Sequence, residues 1–232
     1  MLTAIIVAGG SSRRMGFDKT FALLAGKPII AHSLATFEAT ESVADIVVVG
    51  REERLRELRD AVSLSGAGKV RAVVAGGVHR QDSVAEGLKQ IDDRAEFVAV
   101  HDAARPLLTA AEVERVYAAA RAHGAASLAA PVADTLKRAD DQHVVCGSVD
   151  RERLFAMQTP QIFARALLLD AYEAVVKQGL TITDEVSAIE NLGRKVVLVP
   201  NENFNFKVTY PPDLALAELV LAARSASSLP AQ

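Results

Sequence analysis

Short runs of apolar, often β-branched residues alternate along this chain with amphipathic segments of helical period. A continuous apolar run is typical of a strand that is buried on both faces of a sheet. Strand–helix units in this order favour a mostly parallel sheet with helices on both faces and right-handed crossovers. We therefore predict an α/β fold with strands at residues 4–8, 46–49, 70–75, 97–100, 127–130 and 195–199.

The segments between these runs predict helices, and several carry start signals. Lys27-Pro28 opens one helix, with the proline at a tolerated first-turn position. Asp82 or Ser83 caps another. The pair Thr109 and Glu112 has the spacing of a capping box. Further helices are predicted at residues 55–62, 167–175, 184–191 and 212–224, and the serine-rich residues that follow are expected to fray.

The alternation breaks down between Ala133 and Asp150. Two short stretches at residues 135–138 and 143–146 flank a turn-like segment, which predicts a β-hairpin. A hairpin of this size has little core of its own. We therefore predict a protruding β-hairpin arm at about residues 133–153 that packs on something else. No repeat or linker divides the chain, so residues 1–232 are predicted to form a single domain.

The composition excludes several classes of function. The chain has 232 residues, a formal net charge of -3, 5% aromatic residues and no tryptophan, which argues against binding of nucleic acid by bulk charge or base stacking. The one cysteine, Cys146, excludes an internal disulfide framework. The first residues lack both a basic region and an apolar run long enough for a signal peptide or a membrane span. We predict a cytoplasmic protein with no nucleic-acid or membrane partner.

Glycine and arginine residues follow the predicted strands at their carboxyl ends, which is where parallel sheets bind ligands. Gly9-Gly10 precedes two arginines and Lys19, a pattern that favours a polyphosphate site. A flexible loop with solvated basic residues fits that pattern about equally well. Neither the Gly-x-Gly-x-x-Gly nor the Gly-Lys-Ser/Thr motif occurs, so we expect a nucleotide site of another type. The segments concerned are residues 9–15, 76–83 and 101–106.

Two single charges stand out beside these loops. Asp102 ends the fourth predicted strand, where a carboxylate suits a divalent metal bridged to substrate phosphates. A purely structural role, in which Asp102 is part of a turn before Pro106, is an equally simple explanation of this aspartate. Lys207 is the one charge in a locally apolar stretch, although an exposed edge-strand lysine has the same pattern. The histidines are scattered and no Gly-x-Ser-x-Gly motif occurs, so nothing supports a histidine metal cluster or nucleophilic catalysis.

The segment from Ala8-Gly9-Gly10 through Arg14-Met15 to Lys19 resembles the signature loop of the sugar-nucleotidyltransferase superfamily, whose fold is a Rossmann-like α/β domain. Later motifs resemble those of the methylerythritol phosphate cytidylyltransferases, in the same order from about Ala4 to Leu219. They are Ala75-Gly76-Gly77 with Arg80-x-Asp82-Ser83, Val100 to Pro106, Ala130-Pro131-Val132-x-Asp134-Thr135, Asp150-Arg151, Thr159-Pro160-Gln161, Thr181 to Glu185, and Asn205-x-Lys207-Val208-Thr209.

The resemblance implies a reaction and a set of residue roles. CTP and 2-C-methyl-D-erythritol 4-phosphate would give a CDP-linked product and pyrophosphate with Mg²⁺, a step of isoprenoid precursor synthesis by the non-mevalonate pathway. The implied roles are catalysis for Arg14, Lys19 and Lys207; nucleotide binding for Ala8, Gly9, Gly10, Gly77, Ser83 and Asp102; substrate binding for Asp102, Arg105, Thr135, Arg151 and Thr183; and metal binding for Asp102. The family's arm exchanges with a second subunit, which implies a homodimer with Thr135 and Arg151 acting across the interface.

Two alternatives use the same residues. A ribitol 5-phosphate cytidylyltransferase would share nearly every residue of the CTP site. A non-catalytic nucleotide-binding module would use the cationic side chains for binding alone. The lack of a triad or activated histidine agrees with phosphoryl-type transfer, because a phosphate monoester is already an anionic nucleophile at neutral pH and the enzyme has only to align the reactants and neutralise charge.

Overall fold

The computed structural model of the chain describes residues 1–10 and 15–227. Strands and helices alternate over most of this length, as the sequence predicts. The strands are β1 (Leu2–Val7), β2 (Leu23–Leu24), β3 (Lys27–Pro28), β4 (Val43–Gly50), β5 (Val70–Ala75), β6 (Phe97–Asp102), β7 (Ala125–Pro131), β8 (Leu136–Ala139), β9 (Val145–Val149), β10 (Phe155–Ala164) and β11 (Val197–Pro200).

The helices follow the same chain order. Among the described residues, none of them is both long enough and apolar enough to cross a membrane. They are α1 (Ile29–Ala39), α2 (Leu55–Ser65, preceded by a 3₁₀ turn at Glu52–Arg54), α3 (Arg80–Leu88), α4 (Ala110–His123), α5 (Arg165–Gln178), α6 (Glu185–Asn191) and α7 (Pro211–Ser227).

A seven-stranded sheet with the order β11-β7-β10-β6-β1-β4-β5 forms the centre of the fold. Neighbouring strands are parallel except at β10, which runs antiparallel to both β6 and β7. The crossovers between the parallel strands place helices on both faces of the sheet. The predicted mostly parallel, Rossmann-like α/β fold is therefore confirmed.

Alternation of side chains along the strands divides the core into two layers. In β1, Ile6 packs in a cluster with residues of α1, α2 and α4 on one face. Its neighbour Ile5 packs in a second cluster with residues of α3, α5 and α6 on the other face. Both side chains are fully buried. Burial on both faces explains why the central strands are continuous apolar runs.

Strand β10 is not predicted from the sequence. Its middle holds the polar residues Gln158, Thr159 and Gln161 around Pro160, and a proline argues against a central strand. The register with β7 shifts between Met157 and Gln161, so the proline lies at an irregularity where no ladder hydrogen bond is required. The antiparallel strand thus occupies an interior position in the sheet, between β7 and β6, although its sequence looks like a loop.

Two helix starts differ from the prediction. Pro28 does not lie in the first turn of a helix, because Lys27–Pro28 pairs with Leu23–Leu24 as a short ladder and α1 begins at Ile29. Asp82 and Ser83 do not cap α3, which begins at Arg80. Asp82 instead accepts a hydrogen bond from the backbone N–H of His79 at 2.9 Å, so it stabilises the helix start from inside the first turn.

The predicted hairpin is present as a separate two-stranded sheet of β8 and β9. Its valines Val144 and Val145 are 58% and 61% exposed, so the hairpin has no core of its own. Helix α7 packs elsewhere, where Ala217 and Val220 join a small third cluster that contains Val208. This cluster fixes the segment before α7 over the end of the central sheet.

Candidate active site

A cavity of about 630 Å³ opens at the carboxyl ends of β1 and β6. The turn after β1, the turn between β5 and α3, the end of β6 and the segment before α7 line it. Parallel sheets bind ligands at this edge. The cavity wall contains the predicted nucleotide-binding residues Ala8, Gly9, Gly10, Gly77, Ser83 and Asp102 and the predicted catalytic residues Lys19 and Lys207.

The turn between β5 and α3 lies flat against the start of the helix. A Cβ atom at Gly77 would lie 2.3 Å from the Cβ of Asp82, and one at Gly76 would lie 2.3 Å from the Oγ of Ser83. Neither position can carry a side chain without movement of the backbone or of α3. The two glycines are therefore required by close packing, and the turn leaves its backbone accessible from the cavity side.

Asp102 is the central negative charge of the cavity. Its Oδ1 accepts a hydrogen bond from Nε of Arg80 at 2.9 Å, and its Oδ2 accepts one from Nζ of Lys207 at 2.7 Å. Burial alone would raise the pKa of Asp102, but the positive charges of Arg80 and Lys207 outweigh it and hold the pKa well below its usual range. Asp102 is therefore ionised at any pH at which the protein works.

Arg80 links this carboxylate to a second, buried one. Its Nη1 donates to both carboxylate oxygens of Glu185, at 2.7 and 2.9 Å. The hydroxyl of Tyr172 donates to Glu185 from the other side at 3.0 Å. The sequence motifs contain Arg80 and Glu185, but they assign no role to either residue. The position of Arg80 shortly after a glycine turn is the one feature of the sequence that could have pointed to its place in the site. Nothing in the sequence pairs Arg80 with Glu185, which lies 105 positions further along the chain.

The segment that carries Lys19 is fixed on several sides. Asp18 forms an ion pair with Arg51, and the hydroxyl of Thr20 lies 3.4 Å from the carbonyl oxygen of Ala8. The ammonium group of Lys19 donates to the carbonyl oxygen of Val208 at 2.9 Å. Lys19 is thus held at the cavity edge by contacts from both ends of the chain.

Arg105 lies behind the cavity rather than in its wall. Its Nη1 donates to the carbonyl oxygen of Asn205 at 2.8 Å and its Nη2 to that of Met157 at 3.2 Å. The backbone N–H of Val208 adds a bond to the carbonyl oxygen of Ala104 at 2.8 Å. Together these contacts fasten the segment that carries Lys207 to the end of β6. Arg105 therefore stabilises the backbone around the site, and it does not line the cavity as a substrate-binding residue would.

Three other predicted substrate-binding residues do not line the cavity of this chain. Thr135 and Arg151 are exposed on or beside the arm, where the guanidinium of Arg151 donates to the carbonyl oxygen of Ala133. Thr183 is exposed and lies 3.4 Å from the hydroxyl of Ser187. Arg14, the remaining predicted catalytic residue, falls outside the described residues.

His101 belongs to a buried chain of hydrogen bonds that holds the backbone at Asp102. The N–H of Asp102 donates to Oγ1 of Thr159 at 3.1 Å, and this oxygen lies 2.9 Å from Nδ1 of His101. On the opposite side, the hydroxyl of Ser33 donates to the carbonyl oxygen of Ala103 and lies 3.5 Å from Nε2 of His101. This pattern is satisfied when Nε2 carries the proton and Nδ1 accepts from Thr159. His101 is thus a neutral bridge beneath the site.

The buried imidazole predicts a specific loss of stability in acid. Burial lowers the pKa of His101 to about 3, whereas an unfolded histidine titrates near its ordinary value of 6.5. The unfolded state therefore takes up this proton first, and the free energy of unfolding should fall by about 1.4 kcal/mol per pH unit between those two values. Urea unfolding at pH 6 and pH 5 should show a shallower decrease for His101→Gln, which does not titrate.

The matched control is His123→Gln, because His123 is exposed at the end of α4. We expect its pH dependence of unfolding to equal that of the unaltered chain. Equal slopes for His101→Gln and the unaltered chain would contradict a neutral buried His101.

The cavity offers limited ligands for a metal ion. In the described part of the chain, Asp102 is the one acidic residue in the cavity wall, and no group of three His, Cys, Asp or Glu side chains could hold a metal. Each carboxylate oxygen has about two lone-pair positions, and Arg80 and Lys207 use one on each. This donor set fits Mg²⁺, which takes one or two carboxylates and fills its shell with substrate phosphates and water.

Comparison with known proteins identifies the family of this chain. A family model described as 2-C-methyl-D-erythritol 4-phosphate cytidylyltransferase matches residues 2–223. A relative of that name from Halalkalibacterium halodurans is 39% identical over 224 residues, which covers 96% of this chain and 97% of the relative. Another, from Dehalococcoides mccartyi, is 40% identical over 219 residues, with 94% and 95% covered.

A solved structure gives the same result for the fold. The structure of 4-diphosphocytidyl-2C-methyl-D-erythritol synthase from Anaerococcus prevotii superposes with a TM-score of 0.84 at 29% identity, and the match covers 96% of each chain. The resemblance drawn from the motifs is confirmed over nearly the whole length. The chain therefore belongs to the 2-C-methyl-D-erythritol 4-phosphate cytidylyltransferase family.

Proposed function

We propose that this chain transfers CMP from CTP to 2-C-methyl-D-erythritol 4-phosphate and releases pyrophosphate, the activity for which its family is named. The observation that carries the proposal is the meeting of Lys19, Lys207 and the Gly9-Gly10 backbone around one cavity at the carboxyl edge of the sheet. Positive side chains and accessible N–H groups at such an edge suit a nucleoside triphosphate.

The reaction is a direct displacement at phosphorus. An oxygen of the methylerythritol phosphate forms a bond to the α-phosphorus of CTP, and the bond from that phosphorus to the bridging oxygen of the β-phosphate breaks. The electron pair of the broken bond leaves with pyrophosphate. No general base is needed because the attacking phosphate is already an anion at neutral pH. The protein has to align the two anions and stabilise the charge of the transition state.

Lys19 and Lys207 supply that stabilisation. An ammonium group has three N–H donors, and the bond from Lys207 to Asp102 uses one of them. The others remain for phosphate oxygens. The contact with Asp102 also fixes where Nζ lies before substrate binds, so that less reorganisation is needed during the reaction. We assign Arg14 the same kind of role on the triphosphate.

We include Mg²⁺ in the proposal, with Asp102 as the protein side chain that would contribute an oxygen to it. When bound, the ion would neutralise charge on the nucleotide phosphates. Asp102 has the lone pairs for this contact while it keeps Arg80 and Lys207 in place. We also propose a cytoplasmic location, because CTP and a sugar phosphate are charged metabolites that do not cross membranes unaided.

Binding and turnover with different substrates test this function. Calorimetric titration with CTP, GTP and ATP should show the tightest binding for CTP. Pyrophosphate release with CTP should then be faster with 2-C-methyl-D-erythritol 4-phosphate than with ribitol 5-phosphate. Preference for ribitol 5-phosphate would establish the alternative acceptor, and binding of CTP without release from either acceptor would favour a non-catalytic module.

We further propose that the arm at residues 133–153 joins two chains into a homodimer and that Thr135 and Arg151 complete the partner's site. The arm supports this through its exposed Val144 and Val145 and its separation from the central sheet. Thr135 and Arg151 lie on or beside it, outside the cavity of their own chain.

Mixing two defective chains tests the shared site. Arg151→Ala should lose roughly tenfold to hundredfold in kcat/KM for the sugar phosphate, the usual effect of deleting a charge-assisted hydrogen bond. If Arg151 acts on the partner's site, Arg151→Ala and Lys19→Ala chains should complement each other when they are mixed in equal amounts and allowed to reassociate. About a quarter of the activity of the unaltered chain should return, because half of the dimers then contain one intact site. Arg59→Ala, an exposed arginine on α2 outside the arm and the cavity wall, is the control and should behave as the unaltered chain. A strictly monomeric chain, or no restoration on mixing, would contradict the proposal.

A further inference from the structure

We propose that Glu185 and Tyr172 form a buried anchor that positions Arg80 and, through Arg80, the carboxylate of Asp102 for the transfer reaction. This inference rests on the proposed function, because it assigns new positioning residues to the same site. The observation that supports it is a continuous series of hydrogen bonds, which starts at Tyr172 on α5 and runs through Glu185 and Arg80 to Asp102 in the cavity wall.

The anchor itself lies under the site, out of reach of substrate. Glu185 is fully buried and Tyr172 is 6% exposed. Burial raises the pKa of Glu185, and the adjacent guanidinium of Arg80 opposes that rise. A carboxylate is rarely fully buried without a partner, since desolvation disfavours its charge. In this protein both of its oxygens are bound by Arg80, and the hydroxyl of Tyr172 completes the set.

The planar guanidinium of Arg80 turns this anchor into a constraint on Asp102. Nη1 is directed to Glu185 while Nε is directed to Asp102 Oδ1, so the position of one carboxylate fixes the direction of the bond to the other. Lysine could not reproduce this geometry, because it carries a single donor atom. Fixing Oδ1 leaves Oδ2 for Lys207.

Charge balance gives the anchor a second effect. Glu185, Arg80, Asp102 and Lys207 alternate in sign, so this line of four side chains is neutral as a whole. Removal of the charge of Glu185 would leave Arg80 with Asp102 as its only carboxylate partner in the line. The guanidinium can then rotate to hold Asp102 with two nitrogens and compete with Lys207 for it. The consequence would be misplacement of both Asp102 and Lys207.

Kinetics of Glu185→Gln and Tyr172→Phe test the inference. We expect Glu185→Gln to lower kcat/KM for pyrophosphate release roughly tenfold to hundredfold, the range found when outer partners of functional ligands are removed. Tyr172→Phe should have a smaller effect in the same direction. Glu190→Gln, an exposed residue on the same helix, is the matched control and should keep the activity of the unaltered chain.

A double variant separates positioning from general destabilisation. If Glu185 acts through Arg80, Glu185→Gln should cause no further loss of kcat/KM in a chain that already carries Arg80→Gln. A merely structural role of Glu185 would give losses that multiply. Multiplied losses, or a Glu185→Gln chain with unchanged kcat/KM, would overturn the inference.

A readout that does not depend on activity keeps the inference distinct from the proposed function. In the Arg Nε–H region of a ¹H–¹⁵N spectrum, the signal that disappears in Arg80→Gln should be sharp in the unaltered chain and shifted or broadened in Glu185→Gln, because the geometry of the bond from Nε to Asp102 changes. An unchanged signal would overturn the anchor even if the enzyme is active. Absence of transferase activity in the unaltered chain would instead refute the proposed function. If Glu185→Gln does not fold, Tyr172→Phe carries both measurements, because it removes one hydroxyl only.

Discussion

Lys207→Ala is expected to lower kcat by roughly 10²–10³-fold, the cost of removing one preorganised donor from a transition state. Lys207 lines the cavity, and its ammonium group is fixed 2.7 Å from Asp102 Oδ2. In the proposed reaction its positive charge offsets the negative charge on the transferred phosphoryl group and the leaving pyrophosphate. The side chain is 40% exposed and Arg80 still pairs with Asp102 in the variant, so the chain should remain folded with a modest decrease in the free energy of unfolding.

Steady-state pyrophosphate release and thermal unfolding by circular dichroism measure these two effects. Lys195→Ala is the matched control, because Lys195 is an exposed lysine outside the cavity wall. It should keep the kcat of the unaltered chain. A kcat for Lys207→Ala within about twofold of the control would show that Lys207 is not a catalytic residue.

Lys19→Ala is expected to produce a loss of similar size in kcat. Lys19 approaches the cavity from the N-terminal part of the chain and is held by the carbonyl oxygen of Val208 at 2.9 Å. Since Asp18 and Thr20 keep the neighbouring backbone in place independently, the loss should come from the missing charge and leave the fold intact. Lys27→Ala, an exposed lysine nearby, is the control.

The Lys19 variant also separates catalysis from simple binding. Calorimetry with CTP gives the change in affinity, and single-turnover kinetics gives the change in the chemical step. Our mechanism requires a loss in the chemical step larger than the loss in affinity. If Lys19→Ala and Lys207→Ala weaken CTP binding yet leave the chemical step unchanged, the two lysines serve binding alone.

The wall of the site could be predicted from the sequence because short loops after parallel strands all lie at one edge of the sheet. This rule locates Gly9, Gly77 and Asp102 without any knowledge of side-chain contacts, and the structure brings them to one cavity. Strand β10 could not be predicted in the same way. Its polar centre is buried by contacts with other parts of the chain, and propensity reports only local preference.

The supports beneath the site also lie beyond the sequence pattern. Arg80 and Glu185 look like ordinary charges near helix starts, and only the folded chain brings the first residue of α6 into contact with the first residue of α3. His101 looks like one of several scattered histidines, whereas the structure gives it hydrogen bonds from Thr159 on one side and to Ser33 on the other. Such contacts join residues far apart along the chain, so no local period or spacing reveals them.

The contact between Lys19 and Val208 has a consequence for biosynthesis. Strands β1, β4, β5 and β6 are complete by Asp102, so this part of the sheet can pair early during translation. The carbonyl oxygen that holds Lys19 lies 189 residues further along the chain, and closure of so long a loop comes late in folding. A ribosome-bound chain that ends before residue 205 can thus contain these four paired strands, but it lacks both Lys207 and the carbonyl oxygen that holds Lys19. Nascent or clipped chains that lack Lys207 and Val208 are therefore expected to be inactive, and catalytic competence requires that this segment has been synthesised.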